Sequence, residues 1–326
     1  MLLLARTIRG IESLVCQEIG GGVRRVRHRE VWFDAAAPPR LRLADDVLAL
    51  VAVARGVHPG RTALRRLARA VLEAPLPGAG RWTGLDVSAS FLGRRSYTRY
   101  DIEDTVGEAL ARRLRLPYHS RRAGTAPPPG TMAWRVTIEG EEAAIAMRPA
   151  ERPLHRRPYK VGSVPGTLHP PLAAAMARLA GPCGLVLDPC CGAGTTLVEA
   201  HAVAPGARYL GTDASSEAVR IAARNAAGRG ITWAVADGGR LPLADGSVDR
   251  VLVNPPWDRQ VRGLGVLAGD PGLLWREVDR VLTGAGRVVA LLHEPALPEK
   301  YGLRVTREIP VSLFGRHPVI TVASRG

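Results

Sequence analysis

Apolar and polar positions divide the chain into two unlike halves. In the second half, short apolar runs alternate with helical periodicity. Residues 184–188 read as a strand, followed by a glycine-rich turn and a helix from about Thr195. Strands are predicted at 208–212, 231–236, 249–254 and 286–292, with helices at 217–227 and 271–282. This β-α-β-α rhythm predicts a doubly wound parallel sheet. Residues 303–308 and 319–323 are close enough in sequence to form an antiparallel pair at one edge. Such sheets bind ligands beyond the carboxyl ends of their strands, where the strand order reverses.

The first half has a different texture. Strands are predicted at 2–5, 31–34, 85–91, 132–138 and 143–147, and helices at 11–19 and 102–114. Leu85, Val87, Ala89 and Phe91 alternate with polar residues, as one buried face of a strand does. These elements suggest two small α+β units in series. The three consecutive prolines within 123–130 mark an exposed loop, and the proline- and arginine-rich stretch 149–165 marks the boundary between the halves.

Composition narrows the class. At 326 residues, 46% hydrophobic and 23% charged, the chain suits a globular protein of two or three domains. The apolar run 47–54 is far too short to span a membrane, and residues 1–5 are too short for a secretory signal, so a cytoplasmic protein with no membrane association is expected. Only Cys16, Cys183, Cys190 and Cys191 are present. Adjacent Cys190 and Cys191 lack zinc-ligand spacing, and no metal is expected. The net charge is +15, concentrated at the front: residues 1–165 hold 28 Lys and Arg against 16 Asp and Glu, and residues 166–326 hold 17 against 14. A polyanion such as RNA is the natural partner for that half, although all but two of the basic residues are arginines, a bias that genome composition alone can produce.

Chemistry concentrates at the predicted strand ends. Asp188 closes the first strand before Pro189-Cys190-Cys191-Gly192-Ala193-Gly194-Thr195. Gly192 and Gly194 let backbone approach a ligand and offer amide donors at a helix start. A GxG turn alone also fits simple packing or a nicotinamide site. Leu197 stands where a third dinucleotide-binding glycine belongs, and Asp188 suits a cationic ligand, so S-adenosylmethionine is the better fit. Asp213 ends the second strand and suits ribose hydroxyls, or a helix cap. Asp237 ends the third and suits an adenine amino group, or a turn before Gly238. The fourth ends in Asn254-Pro255-Pro256-Trp257. The Asn254 side-chain oxygen and the Pro255 carbonyl can each accept one N–H of an exocyclic amine, Pro256 stiffens the corner, and Trp257 offers a face for a flipped-out base. A rigid turn over a buried Trp is the plainer alternative.

This set of motifs resembles class I S-adenosylmethionine-dependent methyltransferases acting on amino nitrogens. Residues 9–14, 96–107 and 134–147 resemble the N-terminal ferredoxin-like domain and the THUMP core of THUMP-domain RNA methyltransferases, and 154–159 with 166–181 resemble that family's link into its catalytic domain. The resemblance implies an α/β protein in three parts: a ferredoxin-like domain and helical linker at 1–75, a THUMP RNA-binding domain at 76–150, and a Rossmann-like methyltransferase domain at 151–326. It implies a tRNA (guanine-N2)-methyltransferase acting in the acceptor-stem region; a monomer is expected. Asp188, Gly192, Gly194, Asp213 and Asp237 would hold S-adenosylmethionine, and Asn254, Pro255, Pro256 and Trp257 would hold the base. Trp257 stands where Tyr or Phe is commoner in the family. Cys190 and Cys191 lie at the cofactor turn and read as packing residues.

Basic residues interleave with aromatics at Arg94, Arg95, Tyr97, Arg99 and Tyr100, at Arg112, Arg113, Arg115, Arg121 and Arg122, and at Arg156, Arg157, Tyr159 and Lys160, a pattern suited to phosphate contact and base stacking. The same residues also fit two further readings: adenine-N6 methylation of RNA or DNA, which the same tetrapeptide can serve, and a non-catalytic RNA-binding protein.

Overall fold

The computed structural model describes residues 1–256, 263–313 and 315–325. The chain forms two compact units. The first comprises Met1–Arg6, Ile19–Leu41 and Asp46–Leu154, and the second Thr7–Glu18, Arg42–Asp45 and His155–Gly326.

In N-terminal order the elements are β1 (Leu2–Arg6), α1 (Glu12–Ile19), β2 (Val23–Arg27), β3 (Glu30–Asp34), β4 (Asp46–Arg55), α2 (Leu64–Glu73), β5 (Gly84–Phe91), α3 (Arg99–Leu114), β6 (Thr131–Glu139) and β7 (Glu142–Met147). The seven strands of the first unit form one sheet in the order β2-β3-β1-β4-β7-β6-β5. All neighbours pair antiparallel except β5 with β6. Strands from residues 1–75 and 76–150 meet at β4 and β7, so the two α+β stretches read from the pattern share a sheet. β4 is the apolar run that sequence reading only excluded as a membrane span.

One face of this sheet is closed by α2 and α3. β6 alternates strictly, and its buried Met132, Trp134, Val136 and Ile138 pack with Leu67, Ile102, Val106 and Leu110. Thr98 starts α3 through a capping box with Asp101, satisfying two of the orphan amides that a helix start leaves.

The second unit contains α4 (Pro170–Ala180), β8 (Leu185–Asp188), α5 (Thr195–Val203), β9 (Arg208–Asp213), α6 (Ser216–Asn225), β10 (Thr232–Val235), β11 (Val248–Val253), α7 (Gly272–Val281), β12 (Leu282–Leu292), β13 (Leu303–Pro310) and β14 (Val319–Arg325). Its sheet runs β10-β9-β8-β11-β12-β14-β13. The first five strands are parallel, and β14 and β13 are antiparallel at one edge, as the alternation predicts. The chain passes outward from β8 to β9 and β10, then returns to place β11 on the other side of β8. The order therefore reverses at β8 and β11, whose carboxyl ends carry Asp188 and Asn254.

Leu274, Trp275, Val278 and Val281 of α7 pack with Leu187, Val251, Val253 and Val288 of the strands. Burying such a side chain contributes roughly 1.5–3 kcal/mol. α4 is almost entirely buried, and its alanines permit close approach. Two N-terminal segments complete this unit. Ser312 donates its N–H to the Arg9 carbonyl at 3.1 Å, and Glu18 accepts the N–H groups of Arg42 and Leu43 at 2.8 and 2.9 Å.

Candidate active site

A cavity of about 560 Å³ opens at this switch point, within the usual range of roughly 300–1,000 Å³ for small-molecule sites. Its lining includes Asp188, Gly192, Asp213, Asn254, Pro255 and Pro256. Sequence reading thus identified six residues that the fold brings to one cavity from β8, β9 and β11.

Asp188 is 1% exposed. It accepts the Cys190 N–H at 3.0 Å and the Thr196 hydroxyl. Burial nevertheless pushes its carboxyl up to about 7, with the Asp213 charge adding to the rise and the two hydrogen bonds opposing it. The turn after it needs glycine. Gly192 has φ +51° and Gly194 φ +78°, and a Cβ on Gly194 would stand 2.6 Å from the Trp233 ring. Gly194 shapes the start of α5 and does not line the cavity. Burial raises the Cys190 and Cys191 thiols well above their ordinary value, which suits packing residues and not nucleophiles.

Asp213 fixes the same turn, accepting the Gly192 N–H at 2.9 Å and the Ser215 N–H at 2.9 Å. Asp237 is placed differently. Its carboxylate accepts the N–H groups of Gly239 and Val266 at 2.9 and 2.7 Å, and the neighbouring Gly238 lines the cavity in its stead. Trp257 lies outside the described residues.

At the end of β11, Asn254 donates from Nδ2 to the Gly166 carbonyl at 3.2 Å. Its Oδ1 is buried and has no hydrogen-bond partner among the described residues. An acceptor in that state costs about 1–3 kcal/mol unless a ligand completes it. Gly166 sits in a tight turn closed by Thr167, whose Oγ1 accepts the Val164 N–H at 2.8 Å and donates to the Val164 carbonyl at 2.5 Å.

The link before α4, at 164–169, lines the cavity, a role that sequence reading did not assign to it. Nor did it find Glu199, a fully buried carboxylate on α5. Glu199 accepts from Arg42 Nε at 2.8 Å, Arg157 Nε at 3.0 Å and the Tyr159 hydroxyl at 2.8 Å. Arg157 and Tyr159 are therefore turned inward to a carboxylate and do not form the RNA-facing cluster that their interleaving suggested. In the first unit, Tyr97 is likewise buried and bonded to Arg95, Arg121 pairs with Asp86, and Arg122 with Asp101 and Asp104. Arg94, Arg112 and Arg115 stay exposed.

The lining fits S-adenosylmethionine. Gly192 presents backbone without a side chain, Thr195 Oγ1 is a second buried polar atom without a partner among the described residues, and Asp188 adds a carboxyl group to the lining.

Residues 157–313 match the family described as UPF0020, RMKL-like, methyltransferase domain. The chain is 33% identical, over 95% of its length and 96% of the relative's, to the tRNA (guanine(6)-N2)-methyltransferase of Thermus thermophilus. The solved structure of TrmN from Thermus thermophilus superposes with a TM-score of 0.79 at 29% identity, covering 100% of this chain and 99% of that one. The fold also matches SMU.472, a putative methyltransferase complexed with SAH, with a TM-score of 0.72 at 16% identity, over 100% and 98% of the two chains. Switch-point cavity, strand-end acids and full-length similarity agree, and the chain belongs to the methyltransferase family that includes the Thermus thermophilus tRNA (guanine(6)-N2)-methyltransferase.

Proposed function

We propose that the protein transfers a methyl group from S-adenosylmethionine to the exocyclic N2 of a guanosine in tRNA. The observation that carries this reading is the state of Asn254, whose Nδ2 is tied to Gly166 while its Oδ1 stands buried without a hydrogen-bond partner among the described residues. The lone pair of an exocyclic amine is delocalised into the ring. Asn254 Oδ1 accepts one N–H and the Pro255 carbonyl the other, which holds the nitrogen with its lone pair facing the cavity. Proline at 255 and 256 limits the backbone freedom of that corner, so these acceptors are set before the base arrives. Bound S-adenosylmethionine supplies an electrophilic methyl carbon on a sulfonium. Asp188 would hold its ammonium, and Asp213, which fixes the Gly192 turn, would hold the ribose. The Asp237 carboxylate supports the backbone that carries Gly238 to the adenine.

The sequence resemblance supports residues 1–75 as a ferredoxin-like domain and linker and 76–150 as a THUMP domain that grips tRNA, with the target in the acceptor-stem region. Exposed Arg94, Arg112 and Arg115 offer phosphate contacts there. The form proposed is a monomer working in the cytoplasm. Among the described residues no helix is long and apolar enough to cross a membrane, and no group of three His, Cys, Asp or Glu side chains is placed to hold a metal ion.

The test is incubation with labelled S-adenosylmethionine and bulk tRNA, then digestion to nucleosides. Label in N2-methylguanosine is expected. Label in N6-methyladenosine, or none, contradicts the proposal.

A further inference from the structure

The corner at Asn254 grips an NH2 group, and adenine N6 and guanine N2 are both NH2 groups on a purine. Selection of guanine must come from elsewhere. A second cavity, about 680 Å³, adjoins the first, and Pro255, Pro256 and Leu267 line both. Its lining also includes Trp275, Glu294 and Arg316.

Arg316 lies between β13 and β14. Its backbone exchanges hydrogen bonds with Leu313, each 2.9 Å, which pins the residue at the cavity. The side chain is half-buried, and its guanidinium has no hydrogen bond or ion pair among the described residues. Most arginines of this unit that reach the interior are spent: Arg157 on Glu199, Arg280 on Glu277 and Asp245, Arg250 on carbonyls. Glu294 carries only acceptors and is paired with Lys300 at 2.5 Å.

We infer that the second cavity receives the target base and that Arg316 selects guanine by donating two hydrogen bonds to its O6 and N7. The inference rests on the proposed N2 methylation. A guanine whose 2-amino group lies between Asn254 Oδ1 and the Pro255 carbonyl turns its O6/N7 edge away from that corner. That edge holds two adjacent acceptors, and a planar guanidinium matches them bidentately. Adenine offers an amino donor beside N7 and cannot accept both bonds.

The test uses tRNA assembled with guanine or 7-deazaguanine at the one nucleotide that the wild-type protein methylates. Replacing N7 removes one acceptor and leaves the 2-amino group in place. Wild-type kcat/KM is expected to fall about tenfold on the 7-deaza substrate. Arg316→Met is expected to lose about ten- to a hundredfold on guanine and to show no further loss on 7-deazaguanine. An equal sensitivity to N7 in wild type and variant overturns the inference, as a phosphate contact by Arg316 would produce. Unchanged guanine turnover in Arg316→Met also overturns it. Cofactor affinity, read by calorimetry, should match the wild type. If Arg316→Met loses it, Arg316→Ala carries the same comparison, and loss in both overturns the assignment. A wild-type protein that makes no N2-methylguanosine refutes the proposed function itself.

Discussion

Asn254 and Gly166 are joined by a 3.2 Å hydrogen bond across 88 positions of sequence, from the side-chain Nδ2 of one to the carbonyl of the other. The bond fixes the orientation of the Asn254 amide. Asn254→Asp keeps an acceptor there but has no N–H for Gly166. It should therefore retain more turnover than Asn254→Ala and less than wild type, with kcat falling about tenfold and cofactor affinity unchanged. Equal losses in the two variants would remove the orienting role from Gly166.

Asp188 links cofactor binding to pH. Its folded-state carboxyl titrates near 7, above its ordinary value of 3.8. The ionised form suits an ammonium, so affinity for S-adenosylmethionine should weaken as pH falls from 8 to 6. Calorimetry across that range should show the trend in wild type and a weaker, pH-independent affinity in Asp188→Asn.

The same shift gives a stability test. A raised carboxyl contributes stability that is fully present below its unfolded value and is lost as pH rises through about 7. Asn cannot ionise and keeps that contribution at high pH. Asp188→Asn without cofactor should therefore melt above wild type at pH 8 and alongside it at pH 4. A lower melting point at pH 8 would show that ionised Asp188 is not a burden on the fold.

Glu199 ties α5 to two arginines. Glu199→Gln removes the charge of the carboxylate that Arg42 and Arg157, the latter only 9% exposed, share. Breaking a buried pair from one side costs about 3–5 kcal/mol. At this chain length a drop of about 6–15 °C in Tm is expected, read by calorimetry. A shift under 2 °C would mean that the arginines find other partners.

What could be read from sequence was local. Asp188, Asp213 and Asn254 each stand at a strand end and Gly192 in the turn that follows one, where a short apolar run meets turn residues, and that pattern needs no knowledge of the rest of the chain. What escaped was long-range. Arg42 and Glu199 lie 157 positions apart, and no periodicity relates them. Arg157 and Tyr159 look like surface residues because the carboxylate that draws them inward is on another element. Asp237 has the same spacing, which does not reveal that its carboxylate accepts the Val266 N–H, 29 positions on. Gly166 acts through its carbonyl, which residue identity does not reveal.

The proposed methylation turns on Asn254 holding the attacking amine. Single-turnover methylation of tRNA at saturating S-adenosylmethionine, comparing wild type with Asn254→Ala and reading N2-methylguanosine, tests it most directly. Loss of one positioned polar group should lower the rate by about a hundred- to a thousandfold, with cofactor affinity nearly unchanged. A variant that forms N2-methylguanosine at the wild-type rate would contradict the account.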